Sequence, residues 1–431
     1  MIKSKLIPLK RQLDFLDWEL GLFLHFGILT FFEDRKIMDM QQMPAEAFNP
    51  EQLDCDSWIR ITREIGFRYA VLTAKHHDGF ALWPSRFSDY TVAQTPWKSG
   101  QGDVICEFTN ACRKYDMKIG LYYSPFDYSM KKKGLSDREY DDYIIGQLSE
   151  LLTDYGKIDY LWFDAEGSRG HVYDGGRVID AIRSRQPDIL IFNEWDPDTR
   201  GIGNEAGLAP IGHVNTVTGE AHLAQTSIKH DIGEYRFLPA DSCTPIRRKT
   251  WFYKESSETA LLTIEELVGI YEQSVGRGTN LLLNISPDRR GLLPELDVTR
   301  AAEFCREIKR RFASPVSSKP IYLEGNRIHL DFDQPTMINT IVIQENLSKG
   351  ESVHGFKILI KHVSFGPMIN TYIGASIGHK RICLIPPVYA KGVVLEITEA
   401  DGDFMIEGLA AFMINNEARE NQRLAYAQTV P

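Results

Sequence analysis

The run Tyr69-Ala70-Val71-Leu72-Thr73-Ala74-Lys75-His76-His77-Asp78-Gly79-Phe80 decides the fold. Its first half is apolar without alternation, as expected of a parallel strand covered on both faces. It then turns polar and reaches a glycine, so the strand is expected to stop where its chemistry begins. The same format recurs at Leu20–Phe26, Lys118–Tyr123, Asp159–Phe163, Ile189–Phe192 and Asn280–Ile285. Helical patterns at Cys55–Glu64, Asp103–Tyr115, Asp137–Tyr155, Tyr173–Arg185 and Thr263–Val275 lie between these runs, and Thr263-Ile264-Glu265-Glu266 opens the last of them as a capping box. Strands alternating with helices predict an α/β fold. A closed (β/α)8-like TIM barrel fits better than an open sheet, because no Gly-rich phosphate loop follows an early strand and polar residues recur at several strand ends. The stretch 201–249 is less regular, and the pattern does not place strands six and seven there.

After Arg310 the texture changes. Ile328–Phe332, Ile338–Ile343, Gly355–Ile360, Arg381–Leu384 and Gly392–Ile397 are short apolar runs bounded by turn residues, without helical periodicity. They predict an all-β sandwich. The expected organisation is a barrel over 1–314 and a sandwich over 315–431.

A formal net charge of -10 argues against nucleic acid or an anionic membrane as partner, since each calls for a basic face; a neutral ligand suits this balance. The six cysteines form no CxxC pair and no zinc-ligand spacing, and they read as reduced thiols, with Cys106 and Cys112 in the core. The N-terminal residues lack the apolar run of a secretory leader, and no stretch of about 18 apolar residues exists for a membrane span. The expectation is cytoplasmic, or periplasmic or secreted if a leader has been removed. Oligomeric state is not legible.

In barrel enzymes the reacting groups come from the C-terminal ends of several strands. Here His25 ends the first run, His76-His77 the second, Tyr122-Tyr123-Ser124 the third and Trp162-Phe163-Asp164 the fourth. A lone histidine at a strand end is more often structural, but four polar strand ends in register make that reading less economical. Adjacent strand residues point to opposite faces, so His76 and His77 share a pocket only if the strand has ended, as Gly79 suggests. Two neutral imidazoles offer donors and acceptors suited to sugar hydroxyls. The metal reading is weaker, because no HxH or HExxH is present. Asp164 follows an apolar strand that would deliver a carboxylate to the barrel mouth. A retaining glycosidase needs a second carboxyl roughly 5–5.5 Å away. Glu194, Glu205, Glu234 and Asp241 are candidates, and spacing alone does not choose among them.

Taken together, Leu22-Phe23-Leu24-His25-Phe26-Gly27, Lys75–Phe80 with the following Ala81-Leu82-Trp83, Gly120-Leu121-Tyr122-Tyr123-Ser124, Leu161-Trp162-Phe163-Asp164 and Asn280-Leu281-Leu282-Leu283-Asn284-Ile285 resemble the α-L-fucosidases of glycoside hydrolase family 29. The resemblance covers most of residues 10–315. It implies that Asp164 is the nucleophile and that His25, His76, His77, Trp162 and Tyr123, with Tyr122 as the neighbouring alternative, lie at or beside fucose-contacting positions. It implies a fucosylated oligosaccharide as substrate and no cofactor or metal. Trp83 or Trp251 could then pack on the apolar C6 methyl. Arg200–Gly207 resembles the RWxGNExG run of the branch acting on α-1,3/1,4-linked fucose, which places the acid/base on Glu205. Trp251-Phe252-Tyr253 and Ser274-Val275-Gly276-Arg277 point to the same branch. Gly201 stands where that branch usually has Trp, and Pro239-Ala240-Asp241-Ser242-Cys243 where it usually has a Glu-containing run, which leaves the aglycone preference and the acid open. Gly374–Ile382 resembles the discoidin-like sandwich that follows the barrel in that branch. The rival readings are a metal-dependent barrel hydrolase using the histidines and a non-catalytic fucose-binding protein with a degenerate site.

Overall fold

Parallel pairing of the apolar runs builds the first domain. The computed structural model describes residues 6–35, 42–131, 133–164, 170–217, 235–364 and 366–415. Chain order is α1 (Lys10–Trp18), β1 (Leu20–Leu24), α2 (Cys55–Ile65), β2 (Tyr69–Lys75), α3 (Val104–Lys114), β3 (Lys118–Tyr123), α4 (Tyr128–Lys131), α5 (Asp137–Thr153), β4 (Tyr160–Phe163), α6 (Gly175–Arg183), β5 (Leu190–Phe192), β6 (Arg200–Gly201), β7 (Thr216–Val217), β8 (Arg236–Phe237), β9 (Ala240–Pro245), α7 (Ile264–Gln273), β10 (Asn280–Asn284) and α8 (Glu295–Phe312). The eight-stranded sheet runs β5-β4-β3-β2-β1-β10-β9-β6, parallel throughout. A parallel bridge between Phe192 and Thr199 joins its two ends, so the sheet forms the barrel that the alternation predicts.

Local chemistry sets the helix starts. Asp54, Asp103 and Asp174 accept from a backbone N–H three residues on, and Ser136/Glu139 and Thr263/Glu266 form reciprocal capping boxes. The spacing predicts neither α1 nor α8: both begin without a side-chain N-cap, on Leu9 and Pro294. Yet α1 matters, because it plugs the N-terminal end of the barrel. Phe15 packs edge-on to Tyr69 and Tyr160 at ring centroid distances of 6.0 and 5.4 Å, and Asn280 donates to the Phe15 carbonyl.

The missing strands are β6 and β9. One is two residues long and the other reads Ala-Asp-Ser-Cys-Thr-Pro, so neither presents an apolar run. The polar residues of β9 are buried but satisfied. Asp241 accepts from the hydroxyls of Tyr69 (2.7 Å) and Tyr160 (3.0 Å), and Ser242 bonds Thr279.

Six antiparallel strands, β11 (Tyr322–Glu324), β12 (Arg327–Glu345), β13 (Val353–His362), β14 (Ile369–Gly374), β15 (Arg381–Ala400) and β16 (Ile406–Phe412), form the second domain. β12 and β15 each absorb two of the predicted runs, and register shifts between Asp331/Thr336 and Ile338/Thr340 bend them. The sheet thereby folds over a core that includes Ile328, Ile341, Phe356, Ile358, Val393 and Leu395. β14 lies at an edge, half-exposed along its length, which explains its weak signal. The chain passes between domains after Phe312, and Val316 already bonds the Ala411 carbonyl. Among the described residues no helix is long and apolar enough to cross a membrane. All six cysteines are free thiols; Cys112 is buried, whereas Cys106 is exposed and so is not the core residue its helix pattern suggests.

Inside the barrel, space is allotted by residue size. Gly21 of β1 faces the Tyr69 ring, and a Cβ added there would fall within the ring's van der Waals envelope. Gly21→Ala is expected to cost about 1–3 kcal/mol by overpacking, measured as a lowered urea midpoint with an unchanged m-value.

Candidate active site

Alternation along the strands decides which side chains reach the barrel interior. Phe23, Tyr69, Val71, Tyr122, Tyr160, Trp162, Leu190, Phe192 and Leu282 pack together there with Phe15, while Leu22, Leu72, Leu121, Tyr123, Leu161 and Phe163 join the outer layer against the helices. On β2 the inward phase of Tyr69 and Val71 would send His76 outward. A bulge prevents this: Thr73 pairs with Tyr122 and Lys75 with Tyr123, so one residue is skipped. The slip turns Lys75 to the outside and His76 to the inside.

Lys75 then lies fully buried behind the wall. Its Nζ is 3.0 Å from Asp127 Oδ2 and 3.1 Å from Tyr123 Oη. Burial raises the Asp127 carboxyl's proton affinity, but the Lys75 charge and bonds from Ser129 and Tyr143 outweigh it and hold the group below its ordinary range. Beyond the histidines the backbone turns, with Gly79 N–H donating to the His76 carbonyl and Asp78 Oδ1 accepting from Phe80 N–H. The strand has ended, and the ring of His77 follows His76 into the site at a centroid distance of 4.3 Å.

The rings form a continuous wall. His76 stacks on Tyr122 (5.2 Å, 5°), Tyr122 on Trp162 (5.3 Å, 21°) and Trp162 on Phe192 (4.1 Å, 14°). Phe23 packs against His25, Trp162 and Trp251, and Phe252 meets His25 and His76. Asp164, just past β4, accepts from Tyr122 Oη at 2.8 Å and lies 3.5 Å from His77 Nε2. His77 Nδ1 bonds Ser124 Oγ at 2.6 Å, and because that hydroxyl donates to the Phe126 carbonyl, the imidazole is the donor.

Asn284, at the end of β10, sets His25. The amide Nδ2 donates to the Trp251 carbonyl at 2.8 Å, and its Oδ1 accepts from the His25 backbone N–H and lies 2.9 Å from Nδ1. The proton therefore sits on Nδ1, leaving Nε2 as an acceptor. Burial pulls the His25 pKa down to about 3, the Asn284 bond opposing, and burial with His77 and His25 nearby pulls His76 well below the usual histidine range. Both rings are neutral at physiological pH. His76 Nδ1 and Trp162 Nε1 are buried without a hydrogen-bond partner among the described residues. Leaving such groups unmet costs about 1–3 kcal/mol each, a cost that a hydroxylated ligand would remove.

Glu205 is exposed on the loop after β6 and accepts from Trp251 Nε1 at 3.1 Å. Its charge and that of Asp164 converge on Cys243, whose thiol pKa is pushed up first by burial and then by Asp241, Glu205 and Asp164. Cys243 and Asn284 are site residues that sequence reasoning missed. The signal for Asn284 was its place as the polar end of an apolar strand.

The structure thus brings together His25, His76, His77, Trp162, Asp164, Trp251 and, at the rim, Glu205. It does not bring Tyr123 or Trp83. The Tyr123 hydroxyl faces outward and donates to Gln147 at 2.8 Å, because it is one residue out of phase with Tyr122. Trp83 is buried in the outer layer, its indole donating to Glu150 at 3.0 Å. Asp241 lies deep in the barrel between the two tyrosines, where burial raises its pKa to about 6. Glu194 follows β5, between the left-handed residues Asn193 and Trp195, and Glu234 lies outside the described residues.

An eight-stranded parallel barrel with a carboxylate, neutral imidazoles and stacked aromatic rings at its C-terminal mouth is the architecture of a barrel glycosidase. Residues 9–310 match the family model described as alpha-L-fucosidase, so the chain belongs to the α-L-fucosidase family and is a glycoside hydrolase. Alpha-L-fucosidase 1 of Arabidopsis thaliana is 28% identical, the match covering 98% of this chain and 91% of that protein. A crystal structure from Bacteroides ovatus assigned as an α-L-fucosidase has a TM-score of 0.85 at 33% identity, covering 95% of this chain and 75% of the other. A second, from Bacteroides thetaiotaomicron and assigned likewise, has a TM-score of 0.86 at 30% identity over 96% and 99%.

The two adjacent tyrosines separate site from scaffold. Tyr122→Phe removes a hydrogen bond to a charged group, worth about 1.5–3 kcal/mol, and is expected to lower kcat/KM about 10- to 100-fold on an aryl fucoside. Tyr123→Phe is expected to leave kcat/KM within about twofold while lowering the unfolding midpoint.

Proposed function

We propose that this α-L-fucosidase is a retaining enzyme acting on terminal α-1,3/1,4-linked fucose by double displacement. Asp164 attacks C1 as Glu205 gives its proton to the departing glycosidic oxygen. Glu205, now a carboxylate, then takes a proton from water, which attacks C1 and releases Asp164. The observation that carries this reading is the pairing of two differently held carboxylates at one mouth. Asp164 is fixed from the barrel wall by Tyr122, and Glu205 is reached from the rim by Trp251. The neutral His25 and His76, with Trp162 Nε1, supply hydrogen bonds to ring hydroxyls. Trp251 and Phe252 supply an apolar surface for the C6 methyl, a role the position of Trp83 removes from that residue. The linkage reading rests on the resemblance of Arg200–Gly207 to its branch, and comparing turnover of Lewis-type trisaccharides with α-1,2-linked fucosides tests it.

Asp164→Ala is expected to lose at least about 10³-fold in kcat. Azide is expected to rescue Glu205→Ala on an aryl fucoside and to yield α-fucosyl azide, the product of two inversions. Proton NMR of the first-formed fucose decides the stereochemistry: the α-anomer agrees with retention, and the β-anomer overturns it.

One observation favours a metal-dependent reading. Single ligand atoms of His76, His77 and Asp164 lie within 4.8 Å of one another. Against it, the proposed double displacement needs no ion, and the sequence holds no HxH or HExxH. Activity is expected to survive exhaustive chelation. Loss on chelation, with recovery on adding back one divalent ion, would establish the metal reading instead.

A further inference from the structure

We propose that Glu351 of the β-sandwich is a positioning residue for proton donation, clamping the limb of the loop that carries Glu205. The proposal rests on the reading of Glu205 as the acid. Beyond β6 the chain runs out to Glu205 and returns through residues 209–217. At the tip, Asn204 bonds the Leu208 carbonyl (2.9 Å) and the Ala206 N–H (3.0 Å), a local brace that fixes its shape and leaves its placement to the limbs. The neck closes where Arg200, on β6, donates to the Val214 carbonyl at 2.8 Å.

The returning limb is held at Ala209 by the barrel, whose Gln273 carbonyl and Arg277 guanidinium bond its backbone, and beyond that from the second domain. Glu351 accepts from Asn215 N–H (2.8 Å), Asn215 Nδ2 (2.9 Å) and Thr216 N–H (3.0 Å). Ser376 Oγ donates to the His213 carbonyl at 2.6 Å, and Arg381 reaches the Ile211 carbonyl. All but the Asn215 Nδ2 contact grip backbone, so they fix the path of the chain and not just one side chain. Charge-assisted bonds of this kind are the strong ones. Glu351 also faces the neck electrostatically. Arg200 is fully buried, which lowers its pKa to about 10, and the Glu351 charge is what opposes that fall. The acid's loop thus has its base in the barrel and its brace in the sandwich. General acid catalysis demands placement within hydrogen-bond reach of the leaving oxygen, and small misplacements are costly.

Leaving-group dependence separates positioning from mere stability. The constant kcat/KM covers binding and cleavage of the glycosidic bond and excludes breakdown of the covalent intermediate. An alkyl or glycosyl fucoside needs the proton there, whereas a 2,4-dinitrophenyl fucoside departs without it. In the full-length enzyme, Glu351→Ala is expected to lower kcat/KM about 10-fold or more on the alkyl fucoside and less than about threefold on the dinitrophenyl one. Glu351→Gln keeps the shape and one acceptor, so it is expected to fall between wild type and Glu351→Ala. Ser376→Ala is expected to show the same selective loss, smaller in size, and it decides the matter if Glu351→Ala does not fold. Equal losses on both substrates, or none on either, overturn the clamp. Glu205→Ala runs beside them: if it shows no leaving-group selectivity, the assignment of the acid fails, whereas selectivity there without selectivity at Glu351 and Ser376 refutes only the clamp.

Discussion

A lysine ammonium with no exposure, 3.0 Å from an equally buried aspartate, sits behind the wall of the sugar site, and the site's geometry depends on it. Burying two charges is expensive, and the pair is tolerated because Asp127 also accepts from Ser129, Met130 N–H and Tyr143. Its consequence is directional. With Lys75 drawn outward to Asp127, the bulge before it is fixed, and His76 has no choice but the interior. The Gly79 turn lies against the same aspartate, so close that a Cβ would collide with Asp127 and Ser129. One ion pair outside the barrel therefore holds in register the two imidazoles inside it. Removing either partner would leave an uncompensated buried charge, a loss of about 3–5 kcal/mol.

The same phase slip marks where sequence reading succeeds and where it stops. Continuous apolar runs announce six of the eight barrel strands, because both faces of those strands are covered. β6 and β9 escape, since one is too short to carry a pattern and the other hides its aspartate between two tyrosine hydroxyls contributed by strands far away in sequence. Histidines, Asp164 and the polar strand ends are legible as a group, because a barrel collects strand ends at one mouth. Which of two neighbouring residues faces inward is a different matter. Strict alternation from Tyr160 through Trp162 to Asp164, carried across the register Tyr122↔Trp162, selects Tyr122. Trp83 fails for a similar reason: it lies past the turn, where the chain has already left the mouth, and its indole finds Glu150 among the outer helices.

The site divides its electrostatic labour. Burial keeps His25 and His76 neutral, and the rings of His76, Tyr122, Trp162 and Phe192 stack into one wall. The two carboxyl groups of the site are Asp164, tied to that wall by Tyr122, and Glu205, out on the rim beside Trp251. Neutral imidazoles and indoles recognise hydroxyls by direction and not by charge, which suits an uncharged sugar.

Asn284 joins the two halves. One amide fixes the tautomer of His25 on one side and the backbone of Trp251 on the other, and the Trp251 indole in turn reaches Glu205. His25 and Glu205, far apart in the chain, are thereby linked through Asn284 and Trp251. The inner half of the site is built from strand ends and is rigid by construction. The outer half is a loop whose returning limb is tied to the second domain by Glu351 and Ser376. The ring wall and the rim loop thus have different mechanical support, one from barrel strand ends and the other from the loop's ties to the second domain, so the loop can vary while the wall keeps its form.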